Sequence, residues 1–586
     1  MQSETTESYI VNLLDRASEN FLKSLPGKND VDVQSTTAPA DPKFGDYASN
    51  LALVLAKPLK KSPKELAESI IAELTKLDEQ KRFESIEAVG GFINFKLSSE
   101  YLLKNLQDII DQRDLYGCSV IGKGAKILVE YFQPNVAKPL HLGHLRTAII
   151  GDSLFKILAS QGFKVESDTH LGDWGTQFGI LIWAYKNLGG RELLESHPND
   201  KITALNSLYV DANAQVKENQ KILEGGKVEF VKLEKGDKEN RKLWKEFRDW
   251  SWQEFSVVYD DLAIRKSGHD WPESFYEDKM PAVIDELKFK QLLVESQGAQ
   301  IVNLENYNLG IALVVKSDGG TTYLLRDLAT FIYRKSQGFK KQLYVVDVRQ
   351  AHTLAQTFKI LELAGHLQAG EAQHISYGFL TLPEGAMSTR KGTVLGASNF
   401  IHSVQQEVLK VIEEKNPKLV NKAEVAKSVA AGAIKYFDLS HNIKSDIVFD
   451  PKKAIAFEGN TGPYLQYTHA RIQGILRKSS TDKKIASGTP VVATGMTIKE
   501  QEILVLRKLV KFTEIVEQVA KDYLPNLLCN YLFELAQTFN AFYQEVPVLQ
   551  ETDEKLRLFR LSLITATAQV IRNGLYLLGI EAPEEM

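Results

Sequence analysis

Residues 125–162 carry the pattern of a strand, a turn and a helix in succession. The segment AKILVEYF (125–132) is a short apolar run rich in β-forming residues, which is typical of a buried parallel strand. After the turn, LRTAIIGDSLFKILASQG has helical periodicity and stops at Gly162, a residue suited to a helix C-terminus. We therefore expect the first half of a βαβ unit.

A second segment, KQLYVVDV (341–348), has the same buried character and is expected to return to the same sheet. From about 190 to 270 the chain is rich in lysine and glutamate, with long helical stretches such as KENRKLWKEFRDWSWQEF. We interpret this region as a helical insertion. Beyond about residue 400, apolar residues recur at three- and four-residue spacing, as in an α-helical bundle.

Residues 1 to about 120 have the pattern of a separate α/β unit. In SPKELAESIIAELTKL we expect a helix with Ser62 as N-cap, Pro63 at the first helical position and Glu65 completing a capping box. The segment SIEAVGGFINFKL alternates like a strand and is broken by two adjacent glycines.

With 586 residues the chain has room for about three or four domains. The expected boundaries are 1–120, 121–400 with the insertion at about 190–270, 401–455 and 456–586. Lysine and arginine number 71 against 75 aspartates and glutamates, a net charge of −4. No global basic charge therefore indicates a nucleic-acid partner, although a basic face can lie on a neutral body.

The only two cysteines, Cys118 and Cys529, lie far apart and form neither a disulfide framework nor a cysteine zinc cluster, which fits a reducing cytoplasm. The polar, acidic N-terminus resembles neither a signal peptide nor a transit peptide. No apolar run approaches the roughly 20 residues that span a bilayer. We expect a cytoplasmic protein without a membrane partner.

The turn PNVAKPLHLGH places His141 and His144 around Gly143, directly before the predicted helix. A catalytic zinc usually takes three protein ligands, and no third ligand lies nearby at a recognised spacing, so we expect no protein metal site. Two ordinary exposed or core histidines are the other alternative. A helix N-terminus favours an anion, glycine permits close approach of a nucleoside, and two imidazoles can donate to phosphate oxygens. This combination favours an ATP site.

The HLGH segment resembles the HIGH signature of class I aminoacyl-tRNA synthetases. The segment AMSTRKGTV (386–394) stands where that class has its second signature, KMSKS, with Met387 and Ser388 matching. Ala386 and Thr389 replace its two lysines.

Arginyl-tRNA synthetases commonly have such a degenerate loop and carry a lysine just before HIGH, as this chain does at Lys138. The resemblance therefore makes Lys138, Arg390 and Lys391 the candidate phosphate cations, against the alternative of solvated surface side chains.

The resemblance to arginyl-tRNA synthetases covers nearly the whole chain. It rests on FGDYASNLALVLAK (44–57), HLGDWGTQFG (170–179), WPESFYED (271–278), TTYLLRDLATFIYR (321–334), YVVDVRQAH (344–352) and GNTGPYLQYTHARI (459–472), which match successive family motifs in order. It implies a Rossmann-type α/β catalytic domain with a helical insertion, an N-terminal α/β additional domain and a C-terminal all-α anticodon-binding bundle. It also implies a monomer that uses L-arginine, Mg·ATP and tRNA(Arg), with no DNA partner.

Tyr323 and Asp327 lie four residues apart, on one face of a predicted helix. A guanidinium is best held by carboxylates, a phenol and amide oxygens, and in the family the matching residues hold the substrate arginine. Gln350 matches a glutamine of the same pocket. Taken alone, Asp327 could instead form a local ion pair with Arg326.

Family members often have asparagine where Thr169 stands, and several have glutamate where Lys164 stands. Glu166 or Asp168 could supply the missing carboxylate. Asn135 matches the asparagine before HIGH, and its alternative role is an ordinary turn residue.

The C-terminal bundle of the family reads the anticodon, and Tyr467 and Arg471 present a stacking ring and a cation on one helical face. A core role is the alternative for Tyr464 and Tyr467. Phe92 and Asn94 match positions that contact the tRNA D-loop, with a strand-core role as the alternative for the phenylalanine.

The resemblance and the turn together give one set of candidate residues. They are Lys138, His141, His144, Arg390 and Lys391 for catalysis; Pro134, His141, Gly143, His144, Met387 and Ser388 for ATP; Asn135, Thr169, Tyr323, Asp327 and Gln350 for arginine; and Phe92, Asn94, Tyr467, Arg471, Tyr543 and Met586 for tRNA.

Three other functions remain open. Another class I synthetase would share the ATP motifs but lack the TTYLLRDLA carboxylate and the N-terminal domain. A small-molecule nucleotidylyltransferase would leave both end domains without a role. A non-catalytic tRNA-binding paralogue would be expected to have lost the HxGH turn, which is intact here.

Overall fold

The computed structural model describes residues 4–23, 37–38, 42–216, 219–381, 396–479 and 497–586. The helices, numbered in chain order, are α1 (Thr6–Lys23), α2 (Leu51–Leu59), α3 (Pro63–Leu77), α4 (Ser99–Gln112), α5 (Leu142–Ser160), α6 (Thr176–Asn187), α7 (Gly190–Ser196), α8 (Lys201–Gln215), α9 (Gln220–Glu234), α10 (Lys238–Asp261), α11 (Met280–Phe289), α12 (Tyr323–Ser336), α13 (Ala351–Leu363), α14 (Ala397–Lys415), α15 (Lys422–Leu439), α16 (Pro451–Ala454), α17 (Gly462–Lys478), α18 (Glu500–Val510), α19 (Phe512–Asp522), α20 (Asn526–Glu545) and α21 (Glu554–Leu577). The strands are β1 (Thr37–Ala38), β2 (Tyr47–Ser49), β3 (Phe83–Val89), β4 (Phe92–Leu97), β5 (Lys126–Glu130), β6 (Lys164–Glu166), β7 (Val294–Ser296), β8 (Ala299–Asn303), β9 (Ile311–Val315), β10 (Lys341–Asp347), β11 (Ala372–Tyr377), β12 (Leu380–Thr381) and β13 (Ile447–Val448).

A four-stranded parallel sheet, in the order β11-β10-β5-β6, is the framework of the central region. Its register pairs Glu130, at the carboxyl end of β5, with Tyr344 in the middle of β10. The α5 helix runs from β5 back to β6, as the βαβ pattern predicts. The two segments predicted as buried parallel strands are therefore confirmed as neighbours in one sheet, and the loops at their carboxyl ends meet at one edge.

The N-terminal region forms an antiparallel sheet, in the order β1-β2-β4-β3, with α2 and α3 beside it. Gly90 and Gly91 form the turn of the β3–β4 hairpin at φ 59° and 88°, a conformation that glycine adopts without strain. The helix predicted from Pro63 is present, with Ser62 as N-cap. Its predicted capping box is wrong, because the Ser62 side chain makes no capping hydrogen bond. The proline and the Ser62 carbonyl, which accepts from the Leu66 N–H at 3.0 Å, define the helix start.

The predicted helical insertion is present as α7 to α10, between residues 190 and 261. A cluster of Ile180, Ala184, Leu208, Ala212 and Ile222 packs α8 and α9 against α6. After the insertion, the small antiparallel sheet β7-β8-β9 packs with α11, α12 and α13 around a separate core.

The C-terminal region is helical, as the periodicity predicts, and α5 reaches it directly. Ser153 Oγ on α5 donates to the Leu577 carbonyl at 3.1 Å. Lys435 Nζ donates to the Gly579 carbonyl at 2.6 Å and lies 3.7 Å from the Asp152 carboxylate. The helix that starts at the histidine turn is thus anchored in the terminal bundle just beyond its midpoint. None of the helices in the described residues is long and apolar enough to cross a membrane.

Candidate active site

The histidine turn forms the start of α5, with His141 as its N-cap. Nδ1 of His141 accepts a hydrogen bond from the Gly143 N–H at 3.1 Å. Nδ1 of His144 accepts from the His141 N–H at 3.2 Å, and the two rings stack with centroids 3.8 Å apart. Because both Nδ1 atoms accept, each neutral imidazole carries its proton on Nε2. The turn therefore holds two ring N–H donors at a helix N-terminus.

Both imidazoles are held in the neutral form. Burial, together with the neighbouring His141 and Lys138, lowers the pKa of His144 to about 3. Burial and the Arg349 guanidinium lower the pKa of His141 as well. A Cβ on Gly143 would lie 3.0 Å from His141 Cε1, so glycine leaves room for this ring as well as for a ligand.

The loop before the helix is paired to the loop after β6. The Val136 N–H donates to the Gly172 carbonyl, and the Gly172 N–H donates to the carbonyl of the buried Pro134, both at 3.1 Å. A Cβ on Gly172 would lie 2.3 Å from Asn135 Oδ1. Glycine at this position therefore allows the asparagine side chain to lie close against the backbone.

Asn135 and Lys138 line a small cleft of about 30 Å³ together with Tyr323. The structure thus brings one predicted phosphate cation and two predicted arginine ligands to one place. Burial lowers the pKa of Lys138, and no hydrogen bond or ion pair of its Nζ occurs among the described residues.

Tyr323 and Asp327 lie on the first turns of α12, whose N-cap Thr322 accepts from the Leu325 N–H at 3.3 Å. Tyr323 is exposed, and Asp327 is partly buried. Burial and, to a lesser extent, the Glu130 carboxylate raise the pKa of Asp327 to about 7. Within the described parts of the chain, the Asp327 carboxylate makes no hydrogen bond or ion pair. The local ion pair with Arg326 that the sequence left open is therefore not formed.

Arg326 instead bridges two glutamates of the WPESFYED segment. Its guanidinium bonds Glu273 and Glu277, each at 3.2 Å. Burial, helped by nearby carboxylates that include Asp327 and opposed by Arg326, raises the pKa of Glu273 to about 8. Sequence reasoning did not single out Glu273. The sequence feature that could have indicated it is the pair of glutamates four residues apart in WPESFYED, on either side of two aromatic residues.

The two carboxylates suggested as replacements in the pocket are already paired. Glu166 bonds His269 Nε2 at 2.6 Å and lies 3.2 Å from Lys126. Asp168 is fully buried and accepts from the Arg334 guanidinium at 2.6 Å. Neither carboxylate is left without a cation.

Thr169 is also engaged within the protein. It is buried, and its Oγ1 donates to Asp270 at 2.8 Å. Gln350 lies exposed just after β10, in the turn Val348–Gln350.

Glu130, Asp168 and His170 form a group whose geometry would suit a metal ion. The Arg334 guanidinium pairs with both carboxylates of this group. Because a buried cation already pairs with both carboxylates, the group is explained as an ion-pair cluster within the protein.

The second signature residues, Met387, Ser388, Arg390 and Lys391, lie outside the described residues. The chain that follows them returns to the histidine turn. Gly396 forms a bridge with His141, and the Ala397 N–H donates to the Leu140 carbonyl at 2.9 Å.

Three of the predicted tRNA-binding residues lie close together in the bundle. Tyr467 is 46% exposed on α17, one turn before the exposed Arg471. The Arg471 guanidinium lies 5.1 Å from the ring centroid of Tyr543. The Met586 carbonyl accepts from Asn416 at the end of α14. Tyr464 is the more buried of the two tyrosines on α17, and its hydroxyl accepts from Asn540 at 2.8 Å.

The two predicted D-loop residues differ in exposure. Phe92 at the start of β4 is 45% exposed, which removes the strand-core alternative. Asn94 is only 5% exposed within the same sheet. Phe92, unlike Asn94, is therefore placed to meet another molecule directly.

Comparison with known families gives matches along nearly the whole chain. The family model described as tRNA synthetases class I (R), catalytic domain, matches residues 105–451, more than half of the chain. The Arginyl tRNA synthetase N terminal domain matches residues 9–97, and the DALR anticodon binding domain matches residues 465–586.

Individual relatives agree with these models. The arginine–tRNA ligases of Alkaliphilus metalliredigens and Clostridium botulinum are 40% and 41% identical over 550 residues, covering 94% of this chain and 95% of each relative. The solved arginyl-tRNA synthetase of Thermus thermophilus superposes with a TM-score of 0.83 at 26% identity, over 99% of this chain and 100% of its own. That of Plasmodium falciparum gives 0.82 at 25% identity, over 100% of both chains. The matches of its sequence and fold show that this chain belongs to the arginyl-tRNA synthetase family of class I aminoacyl-tRNA synthetases.

Proposed function

We propose that the chain is an arginine–tRNA ligase. It activates L-arginine with Mg·ATP to arginyl-adenylate and pyrophosphate, and passes the arginyl group to the 3′-terminal adenosine of tRNA(Arg). The arginine carboxylate attacks the α-phosphorus in line with the departing pyrophosphate. The terminal ribose hydroxyl then attacks the adenylate carbonyl, and AMP leaves. No covalent enzyme intermediate is needed, so catalysis consists of positioning and charge stabilisation.

One observation carries the arginine side of the proposal. Among the buried carboxylates around α12, Asp168 is paired with Arg334, and Glu273 is paired with Arg326. The Asp327 carboxylate has no such partner in the described chain, and it lies one turn from the Tyr323 hydroxyl. A substrate guanidinium supplies the missing cation and its fork of donors, which a neutral side chain could not do. Asn135 and Gln350 then hold the backbone end of the amino acid.

The ATP side follows from the neutral histidine pair. Two Nε2–H donors at the N-terminus of α5 bind phosphate oxygens and stabilise the charge that develops during transfer. Lys138 supplies the nearby cation, since Ala386 and Thr389 replace the lysines of the second signature. The magnesium ion enters with ATP as part of the substrate.

The tRNA is bound from both ends of the chain. Arg471, Tyr467 and Tyr543 present a cation and two aromatic rings to unstacked anticodon bases, with Met586 at the end of the same bundle. Phe92 contacts the tRNA elbow from the N-terminal domain. We further propose that the enzyme is cytoplasmic and works as a monomer. Light scattering on the purified protein checks the oligomeric state.

The decisive test is ATP–pyrophosphate exchange with each amino acid in turn, with and without tRNA(Arg). We expect exchange with arginine alone, and only when tRNA is present, as in the family. Exchange driven by a different amino acid would overturn the assignment. Strong exchange without tRNA would overturn only the dependence on tRNA.

The pocket is tested with Asp327→Ala. Arginine-dependent exchange should be lost while the Kd for tRNA(Arg) stays unchanged. The exposed Asp285→Ala on α11 is the matched control and should leave both quantities unaltered. Full activity of Asp327→Ala would show that the guanidinium binds elsewhere.

A further inference from the structure

Lys138 has an aromatic neighbour that comes from the helical insertion. Its Nζ lies 5.2 Å from the ring centroid of Tyr209 on α8. Both residues line the same small cleft, together with Asn135 and Tyr323. No carboxylate pairs with Lys138 among the described residues, so the tyrosine ring is the group that faces its charge.

Tyr209 is held in place by the core of the insertion. Its ring packs on the cluster that joins α8 and α9 to α6, which includes the buried Leu208 and Ala212 from its own helix. The position of the ring is therefore set by the packing of the insertion and not by the loop that carries Lys138.

The backbone next to Lys138 is fixed by a second helix of the insertion. Ala137 has a φ of 59°, a left-handed conformation that is costly for a residue with a side chain. Its N–H donates to Ser251 Oγ on α10 at 2.8 Å, and that hydroxyl donates to the Phe247 carbonyl at 2.7 Å. Ser251 is fully buried. This chain of hydrogen bonds holds the loop in its left-handed turn.

We propose that the helical insertion positions the phosphate-binding lysine: Tyr209 holds the ammonium group of Lys138 on its ring face, and Ser251 fixes the backbone turn that presents it. The inference rests on the proposed function, in which Lys138 contacts the triphosphate. Tyr209 and Ser251 are positioning residues, since neither is required to touch ATP.

An aromatic partner suits this task better than a carboxylate. A carboxylate would neutralise the lysine and compete with phosphate for it, whereas a ring face attracts a cation and leaves its charge intact. The ring also restricts a long side chain that would otherwise lose much rotamer entropy on binding ATP. Burial lowers the pKa of Lys138, which is consistent with an ammonium group that has little water around it and no counter-ion among the described residues.

The first test compares Tyr209→Leu with Tyr209→Phe in tRNA-dependent arginine exchange. Tyr209→Leu should lower kcat about tenfold, with the KM for arginine within about twofold of the parent value. Tyr209→Phe keeps the ring face and should retain nearly full activity. Equal losses in both variants, or no loss in Tyr209→Leu, would overturn the inference. Tyr209→Met, which keeps the bulk in an unbranched side chain, replaces the leucine variant if that one unfolds.

A double-mutant cycle separates this inference from the proposed function. If the ring acts through the lysine, Tyr209→Leu should cause no further loss of kcat in a Lys138→Ala background. A fully additive loss would show that the ring acts independently of Lys138 and would overturn the inference. Unchanged activity of Lys138→Ala alone would instead overturn the role of the lysine in the proposed function.

Ser251→Ala gives an independent readout of the second contact. Removing the hydroxyl leaves the Ala137 N–H without its partner, so kcat for exchange should fall in the same way as in Tyr209→Leu. The Kd for tRNA(Arg) should stay unchanged, because the residues proposed to bind the anticodon, Tyr467, Arg471 and Tyr543, lie on α17 and α20. Undiminished kcat in a folded Ser251→Ala protein would remove Ser251 from the proposal.

Discussion

Asp327 follows Tyr323 by one turn of α12, and its carboxylate makes no hydrogen bond or ion pair within the described residues. Burial and the Glu130 charge raise the pKa of this carboxyl to about 7. The groups around it are Glu130 on β5, Arg326 and Arg334 on α12, and Glu273, whose own pKa burial raises to about 8. Without its substrate the pocket thus carries carboxylates that take up protons near neutral pH.

Arginine binding should therefore weaken as the pH falls. Below pH 7 the Asp327 carboxyl is mostly protonated, and the guanidinium must displace that proton. We expect the KM for arginine to rise by up to about tenfold per pH unit below 7. Initial exchange rates at saturating ATP and tRNA measure this effect, and the KM for ATP over the same range is the control. A KM for arginine that stays flat from pH 8 to pH 5.5 would contradict the assignment.

The same carboxylate should lower the stability of the free enzyme. Its folded pKa of about 7 lies above the ordinary value of 3.8, so its favourable contribution is lost as the pH rises through 7. Asp327→Asn should consequently raise the free energy of unfolding by up to about 4 kcal/mol at pH 8, and by less than half of that at pH 5. Urea denaturation at both pH values measures the difference, with Asp285→Asn as the surface control. An equal effect at both pH values would show that ionisation is not the cause.

Removing the cation of the neighbouring buried cluster should lower the stability of the protein, whereas Asp327→Asn should raise it. Arg334 is fully buried and pairs with Asp168 and Glu130. Arg334→Met leaves two buried carboxylates without their cation, which typically costs about 3–5 kcal/mol of stability. The loss should be larger at pH 8 than at pH 5, because protonation removes the uncompensated charge.

Arg349→Met is the matched comparison for Arg334. That arginine pairs with Asp347 at 2.6 Å but is 69% exposed, so its loss should cost no more than about 1 kcal/mol. Equal destabilisation by the two variants in urea denaturation would show that burial does not set the strength of the inner cluster.

Local sequence patterns predicted the elements that carry the site. The apolar run before the histidines predicted β5, and the four-residue spacing predicted that Tyr323 and Asp327 share a helical face. The strand and the shared helical face both depend on residues that are close in the chain, so the periodicity of the sequence can predict them.

What the sequence could not predict depends on distant partners. Glu166 and Asp168 looked available for a guanidinium, but Glu166 pairs with Lys126 and bonds His269. Asp168 pairs with Arg334, a residue that is also distant from the local motif in the sequence. The left-handed conformation of Ala137 also cannot be predicted from the neighbouring sequence, because its N–H donates to a serine of the insertion. Charge compensation and backbone support are set by the tertiary fold, so carboxylates cannot be assigned to a substrate before their internal partners are known.

The histidine pair has both a structural and a chemical role, and substitutions can separate the two. His141→Ala removes the N-cap acceptor and the Nε2–H donor, and should cost about 1 kcal/mol of stability as well as about 100-fold in exchange rate. His141→Asn restores a good N-cap and should recover the stability but not the rate. Urea denaturation and exchange measured on the same preparations test this. Recovery of the rate in His141→Asn would show that the cap alone is required.

The tRNA face offers a matched pair of arginines on one helix. Arg471 lies beside the Tyr543 ring, with Tyr467 one turn before it, whereas Arg477 pairs with Glu585 at 3.1 Å. Among the described residues Arg471 has no ion-pair partner and can stack on a base and bond its edge, while Arg477 is held by Glu585. We expect Arg471→Ala to raise the Kd for tRNA(Arg) at least about tenfold and Arg477→Ala to change it by less than about threefold.

Arg471→Lys distinguishes charge from shape at this position. Lysine keeps the cation but lacks the planar fork, so a base contact should be lost almost as fully as in Arg471→Ala. A phosphate contact should instead survive in Arg471→Lys, and only Arg471→Ala should then reduce the salt dependence of binding. Filter binding at several salt concentrations separates the two outcomes. Equal affinity in parent, Arg471→Ala and Arg471→Lys would place the anticodon on a different face of the bundle.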